Sequence, residues 1–309
     1  MDQKSKLILI DAQAVLHRAW HALPKLTNPQ GKVVNAVYGF TSLLIKLIKE
    51  QKPSCLAVAF DTKAPTFRHQ EYQEYKAGRE KQPQEFYDQI KLTKDILTAF
   101  DIPIFFKDGF EADDLIGAII CQKRKKNPEM EFLIISGDLD LCQLVDSNTS
   151  LYYLRQGINQ IKIYQEKEIE ERFSLKPNQL IDFKALRGDA SDNIKGVEGI
   201  GPKTALNLIK NFKTLEKLYQ ALEQQRKNKK TNQIIKDNLR ERLWKNKEIA
   251  FQSKRLVTIE KNIPNLEIDQ LKNNNFSNNK EIIKVLNEFG FKSLVKRWAN
   301  NNSAQTKMF

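Results

Sequence analysis

The chain is poor in the residues on which disulfide-stapled and zinc-built folds depend. Its 309 residues include three cysteines and three histidines. Cys55, Cys121 and Cys142 show no CxxC spacing and lie inside apolar segments. They are expected as reduced core residues, which excludes a disulfide framework. His17 and His21 are four apart, a spacing that can bind zinc on a helix, but no HExxH glutamate or third soft ligand accompanies them. Long apolar runs are also missing. None approaches the ~20 residues needed to cross a bilayer. The five-residue run before Asp11 is too short for a signal-peptide core, so a cytoplasmic protein with no membrane partner is expected. Negative charge is in deficit as well: 51 Lys and Arg stand against 38 Asp and Glu, a formal net charge of +13. That excess suits a polyanionic partner such as nucleic acid.

Against this basic background, the acids are placed selectively. Asp11 follows the apolar run KLILI, and Asp61 follows CLAVAF. Glu111, Asp113 and Asp114 form EADD just after PIFF, and Asp138 and Asp140 form GDLD after EFLIIS. Asp189 and Asp192 lie in GDASDN. Taken singly, Asp11 or Asp138 fits a helix N-cap, and Asp189 or Asp192 fits a turn. Jointly, four strand-like runs that end in acid predict convergence on one sheet edge. So many carboxylates cannot share a pocket ionised without cations, because like charges raise each other's pKa. Hard Mg²⁺ or Mn²⁺, which prefers oxygen ligands, resolves the conflict. Two such ions can activate a water and stabilise the leaving oxygen of a phosphodiester.

Residues 1–150 alternate strands (6–10, 55–60, 103–106, 131–136) with helical stretches (35–50, 84–100, 111–126). This order predicts an α/β fold with a mostly parallel central sheet flanked by helices, and ligands beyond the carboxyl ends of its strands. Residues 151–165 read as a hairpin turning near Gly157. From 166 onward the chain reads as helical, with polar stretches at 222–248 and 270–282 expected as exposed loops or polar helix faces. The last ten residues are expected to fray.

Two further segments bear on nucleic acid. GVEGIGPKTALNLIKNF (196–212) places Gly196, Gly199 and Gly201 before Pro202 at a first helical position, followed by Lys203 and Thr204. With LIDFKALRG ahead of it, this reads as a helix–hairpin–helix whose backbone N–H groups can hold phosphate without sequence preference. It is not a Walker A loop, because Pro202 interrupts the GK[ST] run and no apolar strand precedes it. Residues 62–82 interleave Lys63, Arg68, Lys76, Arg79 and Lys81 with Phe67, Tyr72 and Tyr75. Such a pattern can follow a single strand while its rings stack on bases. Arg18, one or two turns beyond Asp11, can reach a phosphate.

Together YGF (38–40), FDTKAPTFRH (60–69), YKAGR (75–79), FEADD (110–114), GDLDLCQLV (137–145) and GDASDNIKGVEGIGPKTA (188–205) resemble the 5′ nuclease family. The resemblance runs from about 6 to about 298 and is closest to the 5′–3′ exonuclease domain of bacterial DNA polymerase I and to flap endonucleases. It implies a PIN-like core over 1–165 with a helical arch at about 62–100, and a helical duplex-binding region over 166–300 with the hairpin at about 178–212. Residues 301–309 are left as a frayed tail. It implies a first metal surrounded by Asp11, Asp61, Glu111, Asp113 and Asp138. A second would be held by Asp140, Asp189 and Asp192, with Asp138 shared and Asp114 behind them. Lys76 and Arg79, with Asp138, are implied to be catalytic. Tyr38, Arg18, Arg68, Gly196, Gly199, Gly201, Lys203 and Thr204 are implied to contact DNA, and a potassium ion to sit at the hairpin. The implied activity is Mg²⁺-dependent 5′–3′ exonuclease and 5′-flap endonuclease cleavage by a monomer acting on DNA flaps, nicks or ends and on RNA primers in replication and repair. Ala12, Leu139 and Lys195 depart from the family's usual Gly, Lys and Pro without removing a metal ligand. The rival readings are a junction-binding protein that does not cleave and an RNA-directed nuclease.

Overall fold

The computed structural model describes residues 5–227, 235–274, 276 and 279–305. The apolar runs form β1 (Lys6–Asp11), β2 (Cys55–Ala59), β3 (Ile104–Phe105) and β4 (Glu131–Ser136), followed by β5 (Thr149–Gln156) and β6 (Gln160–Tyr164). They lie in the order β3-β2-β1-β4-β5-β6, parallel throughout except for β6. Between them run α1 (Ala12–Ala22), α2 (Asn35–Gln51), α3 (Phe67–Glu71), α4 (Gln84–Ala99) and α5 (Ala112–Lys126). A 3₁₀ turn covers Asp140–Leu144.

Both faces of the sheet are covered, which is why its parallel strands read as continuous apolar runs rather than alternating ones. Leu7, Leu9, Ala57 and Ile134 face α5 and the helices that follow β6. Those are α6 (Glu166–Phe173), α7 (Gln179–Arg187), α8 (Pro202–Phe212), α9 (Leu215–Lys227), α10 (Asp237–Lys245) and α11 (Lys247–Val257). Ile8, Ile10, Val58 and Ile135 face the opposite layer of α1, α2 and α4. That layer is completed by α12 (Asn279–Glu288) and α13 (Lys292–Gln305). Ile282, Leu286, Phe291, Leu294 and Trp298 bury their apolar face there, with Trp298 edge-on to Phe100. The region 166–300 is therefore not one unit, because its last two helices return to the N-terminal half to bury that stripe.

Other differences are local. The strand expected at 103–106 shortens to two residues, and the arch segment 62–100 is a short α3, a turn region and a long α4. Within the polar stretch 222–248, α9 and α10 are helical; residues 228–234 lie outside the described residues. In 270–282, Asn279 opens α12, while 275, 277 and 278 lie outside. Part of the expected tail continues α13 as far as Gln305; residues 306–309 lie outside. Among the described residues, no helix is long and apolar enough to cross a membrane.

Candidate active site

Parallel strands deliver their carboxyl ends to one edge, and the acids gather there. Asp11 is the last residue of β1 and also the N-cap of α1, so the cap reading and the site reading both apply to it. Its carboxylate accepts the Ala14 N–H at 3.0 Å and the Ser136 hydroxyl at 2.8 Å. Ser136, at the end of β4, also accepts the Asp138 N–H at 3.0 Å. Asp61 follows β2 and accepts the Ala112 N–H at 2.7 Å, fixing the start of α5 beside it. Asp11, Asp61, Glu111, Asp113 and Asp138 line one cleft of about 870 Å³. Asp138 also lines a second cleft, of about 390 Å³, with Asp140 and Asp189. Asp138 thus lines both clefts, while Asp192 lines neither.

Basic side chains reach into the acids. The Lys76 ammonium donates to Glu111 at 2.7 Å and lies 3.9 Å from Asp192. Arg79 pairs with Asp192 at 2.5 Å. Lys184, near the end of α7, pairs with Asp140 and with Asp189 at 2.6 Å. The Tyr75 hydroxyl donates to Glu111 at 3.1 Å and contacts Asp192 at 3.2 Å.

The electrostatics show strain among the carboxyls. Burial, then the neighbouring Asp61, pushes Asp11 up to about 7. Burial, then Asp138, pushes Asp140 up to about 7 despite the opposing Lys184. Asp113 is raised well above the usual range by burial and by Asp11 and Asp138. Burial also raises Asp61. Asp189 goes the other way: burial would raise it, but Lys184 and Ser191 outweigh that and hold it near 2. Burial would lower Lys76, yet Glu111 and Asp192 prevail and keep it charged.

This donor chemistry fits hard divalent cations. Every group in the set offers oxygen, and a nearby dication would relieve the repulsion that burial magnifies. Among the described residues, no three His, Cys, Asp or Glu side chains are gathered tightly enough to form a ready-made cage. Instead Lys76, Arg79 and Lys184 supply the compensating charge. At the hairpin the Gly199 carbonyl accepts from the Arg242 guanidinium at 3.4 Å.

The expected DNA contacts separate on inspection. Arg18 lines the acid cleft and donates to the Gly137 carbonyl at 3.0 Å. Tyr38 reaches Ser293 at 3.0 Å and stands edge-on to Phe291. Arg68 is a correction. It is 3% exposed, and four of its five N–H donors go to Asp114 at 2.7 and 2.8 Å and to the carbonyls of Leu256 and Thr258, with Nη1 also 3.7 Å from Glu111, so the guanidinium is turned into the protein. Asp114, fully buried, also accepts the backbone N–H groups of Glu111 and Glu260. The three rings of 62–82 differ in their surroundings, with Phe67 and Tyr72 half-buried. The Tyr75 ring is buried, and Phe67 is flanked by the Arg68 and Arg255 guanidiniums at 4.5 Å each. Tyr72 is tied to Glu74.

The hairpin lies between α7 and α8. It is preceded by a small antiparallel pair, β7 (Gly188–Asp189) with β8 (Ile194–Lys195), which spaces Asp189 from Asp192. A Cβ on Gly196 would lie 2.3 Å from the Arg187 carbonyl carbon and the Gly188 nitrogen, so only glycine fits. Gly199 turns the chain at φ +74°, a left-handed geometry that glycine adopts freely. Gly201 caps α8, Lys203 is exposed and Thr204 half-buried. His17 and His21 stack at 6.3 Å, and the His17 ring packs 4.3 Å from Phe86. Burial, then His21 and Arg79, depresses His17 to about 4.

Sequence reasoning missed Ser136 and Lys184 and misassigned Tyr75. Lys184 stands five residues before Asp189, but nothing local separates it from the other basic residues.

The fold is that of a nuclease solved with divalent zinc, the T5 5′-exonuclease. The superposition covers 96% of this chain and 98% of that one, at a TM-score of 0.67 and 21% identity. The bacteriophage T5 D15 flap endonuclease, in a pseudo-enzyme–product complex with DNA and metal ions, covers the same shares at a TM-score of 0.65 and 21% identity. At the sequence level, the 5′–3′ exonuclease N-terminal resolvase-like domain matches residues 6–174, and the 5′–3′ exonuclease C-terminal SAM fold matches residues 175–279. The chain belongs to the 5′–3′ exonuclease family. DNA polymerase I of Bacillus subtilis is 36% identical over 304 residues, which are 98% of this chain and 33% of that protein. The chain spans about a third of the length of the curated relatives it matches.

Proposed function

We propose that this chain is a divalent-metal-dependent phosphodiesterase acting as a 5′–3′ exonuclease and a structure-specific 5′-flap endonuclease. Its substrates would be DNA flaps, nicks and ends, with RNA primers also accepted, and its setting replication and repair in the cytoplasm as a monomer. The observation that carries this reading is the convergence of acids from separate strand ends on one edge, with Asp138 lining two clefts, Lys76 and Arg79 in the first and Lys184 in the second.

Asp11, Asp61, Glu111, Asp113 and Asp138 would hold one Mg²⁺, and Asp138, Asp140, Asp189 and Asp192 the other; Mn²⁺ could substitute. Bound ions would activate water and neutralise charge on the departing oxygen. The chain's own part is to position. Lys76 and Arg79 would turn from the carboxylates to the scissile phosphate and stabilise the charge developing there. Tyr75, whose phenol pKa burial raises, stays a hydrogen-bond donor between Glu111 and Asp192 and fixes the turn that carries both bases. The N–H groups at Gly199 and Gly201, with Lys203 and Thr204, would hold duplex phosphates. Arg18 would meet the strand inside the cleft. The hairpin favours duplex DNA over a purely RNA-directed role.

The test is product sizing on an end-labelled 5′-flap duplex, with Mg²⁺ and with EDTA. Asp138→Ala should abolish cleavage and retain binding. Unchanged cleavage in that variant, or cleavage that survives EDTA, refutes the reading.

A further inference from the structure

A second groove opens from the acid cleft on the α4 side, and the chemistry above leaves it unused. Its volume is about 1150 Å³, and it shares Gln13, His17 and Asp61 with the acid cleft. Phe106 forms part of its wall. This residue directly follows β3, the neighbour of β2, so it stands one strand outward from Asp61 on the same sheet edge. It is 60% exposed, the largest value among the exposed large apolar side chains described. The Lys94 ammonium lies over the Phe106 ring at 5.0 Å and over Phe60 at 5.1 Å. Lys63 and Lys91 line the groove and form no ion pair among the described residues. Two of the acids there are engaged: Glu85 by Lys25 and Asp88 by the Gln84 amide, each at 2.8 Å.

An exposed ring beside unpaired ammonium groups is the arrangement that binds single-stranded nucleic acid. Every base has a face that can stack, and the phosphates between bases need cations. Of the aromatic residues of 62–82, Tyr75 is buried, and none of Phe67, Tyr72 and Tyr75 lines this groove. Of the rings that line it, Phe86 is buried, Tyr87 half-buried and Phe106 exposed. We infer that this groove receives the unpaired strand leading away from the scissile phosphate. One base stacks on Phe106, and adjacent phosphates meet Lys63, Lys91 and Lys94. The inference rests on the flap-cleaving function proposed above and makes Phe106 a determinant of flap-length preference, with no part in the chemistry.

Affinity and cleavage should be measured for duplexes bearing 5′ flaps of one and of ten nucleotides, with 2-aminopurine at successive flap positions. The proteins are the full chain, F106A and F106W. The 2-aminopurine at one position should be quenched in the parent chain and in F106W and be restored to full emission in F106A. F106A should bind the ten-nucleotide flap at least about five-fold more weakly, the lower end of what loss of one stacking ring costs. It should bind and cut the one-nucleotide flap as the parent does. Equal affinity of F106A and the parent for the long flap overturns the inference, and so does an equal loss on both flaps, which marks a structural role. Failure of the parent chain to cut either flap is a separate result. It removes the proposed function itself, and it is visible before any variant is made.

Discussion

Replacing Arg68 with Met tests whether this residue is architecture or a nucleic-acid contact. The side chain is 4% exposed and its partner Asp114 0%. It donates to both Asp114 oxygens and to two carbonyls, at 2.7–2.9 Å. Methionine fills much of the same volume but leaves a buried carboxylate without its counter-charge and the Leu256 and Thr258 carbonyls without donors. Removing one partner of a buried pair costs about 3–5 kcal/mol. Asp114 keeps the N–H groups of Glu111 and Glu260, which places the expectation near the lower bound, about 3 kcal/mol. Urea unfolding of the parent chain, Arg68→Met, Asp114→Asn and the double variant supplies the cycle. The double variant should lose at least about 1 kcal/mol less than the sum of the singles, as expected for groups in contact. Under conditions where Arg68→Met is folded, the salt dependence of duplex binding should keep the parent's slope, because no phosphate contact has been removed. A stability loss under about 1 kcal/mol, or a shallower salt slope, refutes the reasoning.

Two further outcomes follow from the packing. His17 is depressed to about 4 from an ordinary 6.5, so the unfolded chain binds more protons in that interval. Its contribution is complete above pH 6.5 and is lost as pH falls toward 4. The difference in urea midpoint between pH 7 and pH 5 should therefore shrink in His17→Phe, and an unchanged difference counts against the assignment. Gly196→Ala drives a methyl into the Arg187–Gly188 backbone and should cost about 1–3 kcal/mol through overpacking, with weaker duplex binding as the hairpin shifts. Parent-like stability in that variant would show that the hairpin yields without strain.

The parallel sheet and its acid edge were legible because they depend on local signals. Uninterrupted apolar runs mark strands buried on both faces, and an acid directly after each run marks the edge. The hairpin was legible for the same reason, since Gly196, Gly199, Gly201 and Pro202 are consecutive backbone requirements. What stayed hidden depends on distance. Arg68 and Asp114 are 46 positions apart, and only the packed chain shows that one neutralises the other. In 62–82 the composition suited a nucleic-acid strand, and only the packed chain shows that the Tyr75 ring is buried. Tyr75 bridges Glu111 and Asp192, residues brought together only by the sheet and the turn after β7. The return of α12 and α13 to the first half was equally unreadable, because an amphipathic stripe states that a helix packs but not against what.

The central claim is that carboxylates from five stretches of the chain jointly hold two dications. Anomalous diffraction from manganese-soaked crystals addresses it directly. The account predicts two peaks, one among Asp11, Asp61, Glu111, Asp113 and Asp138 and one among Asp138, Asp140, Asp189 and Asp192, with the Lys76 and Lys184 ammonium groups displaced from their present partners. Crystals that diffract well but show no peak among these side chains, or manganese bound only elsewhere, would contradict it.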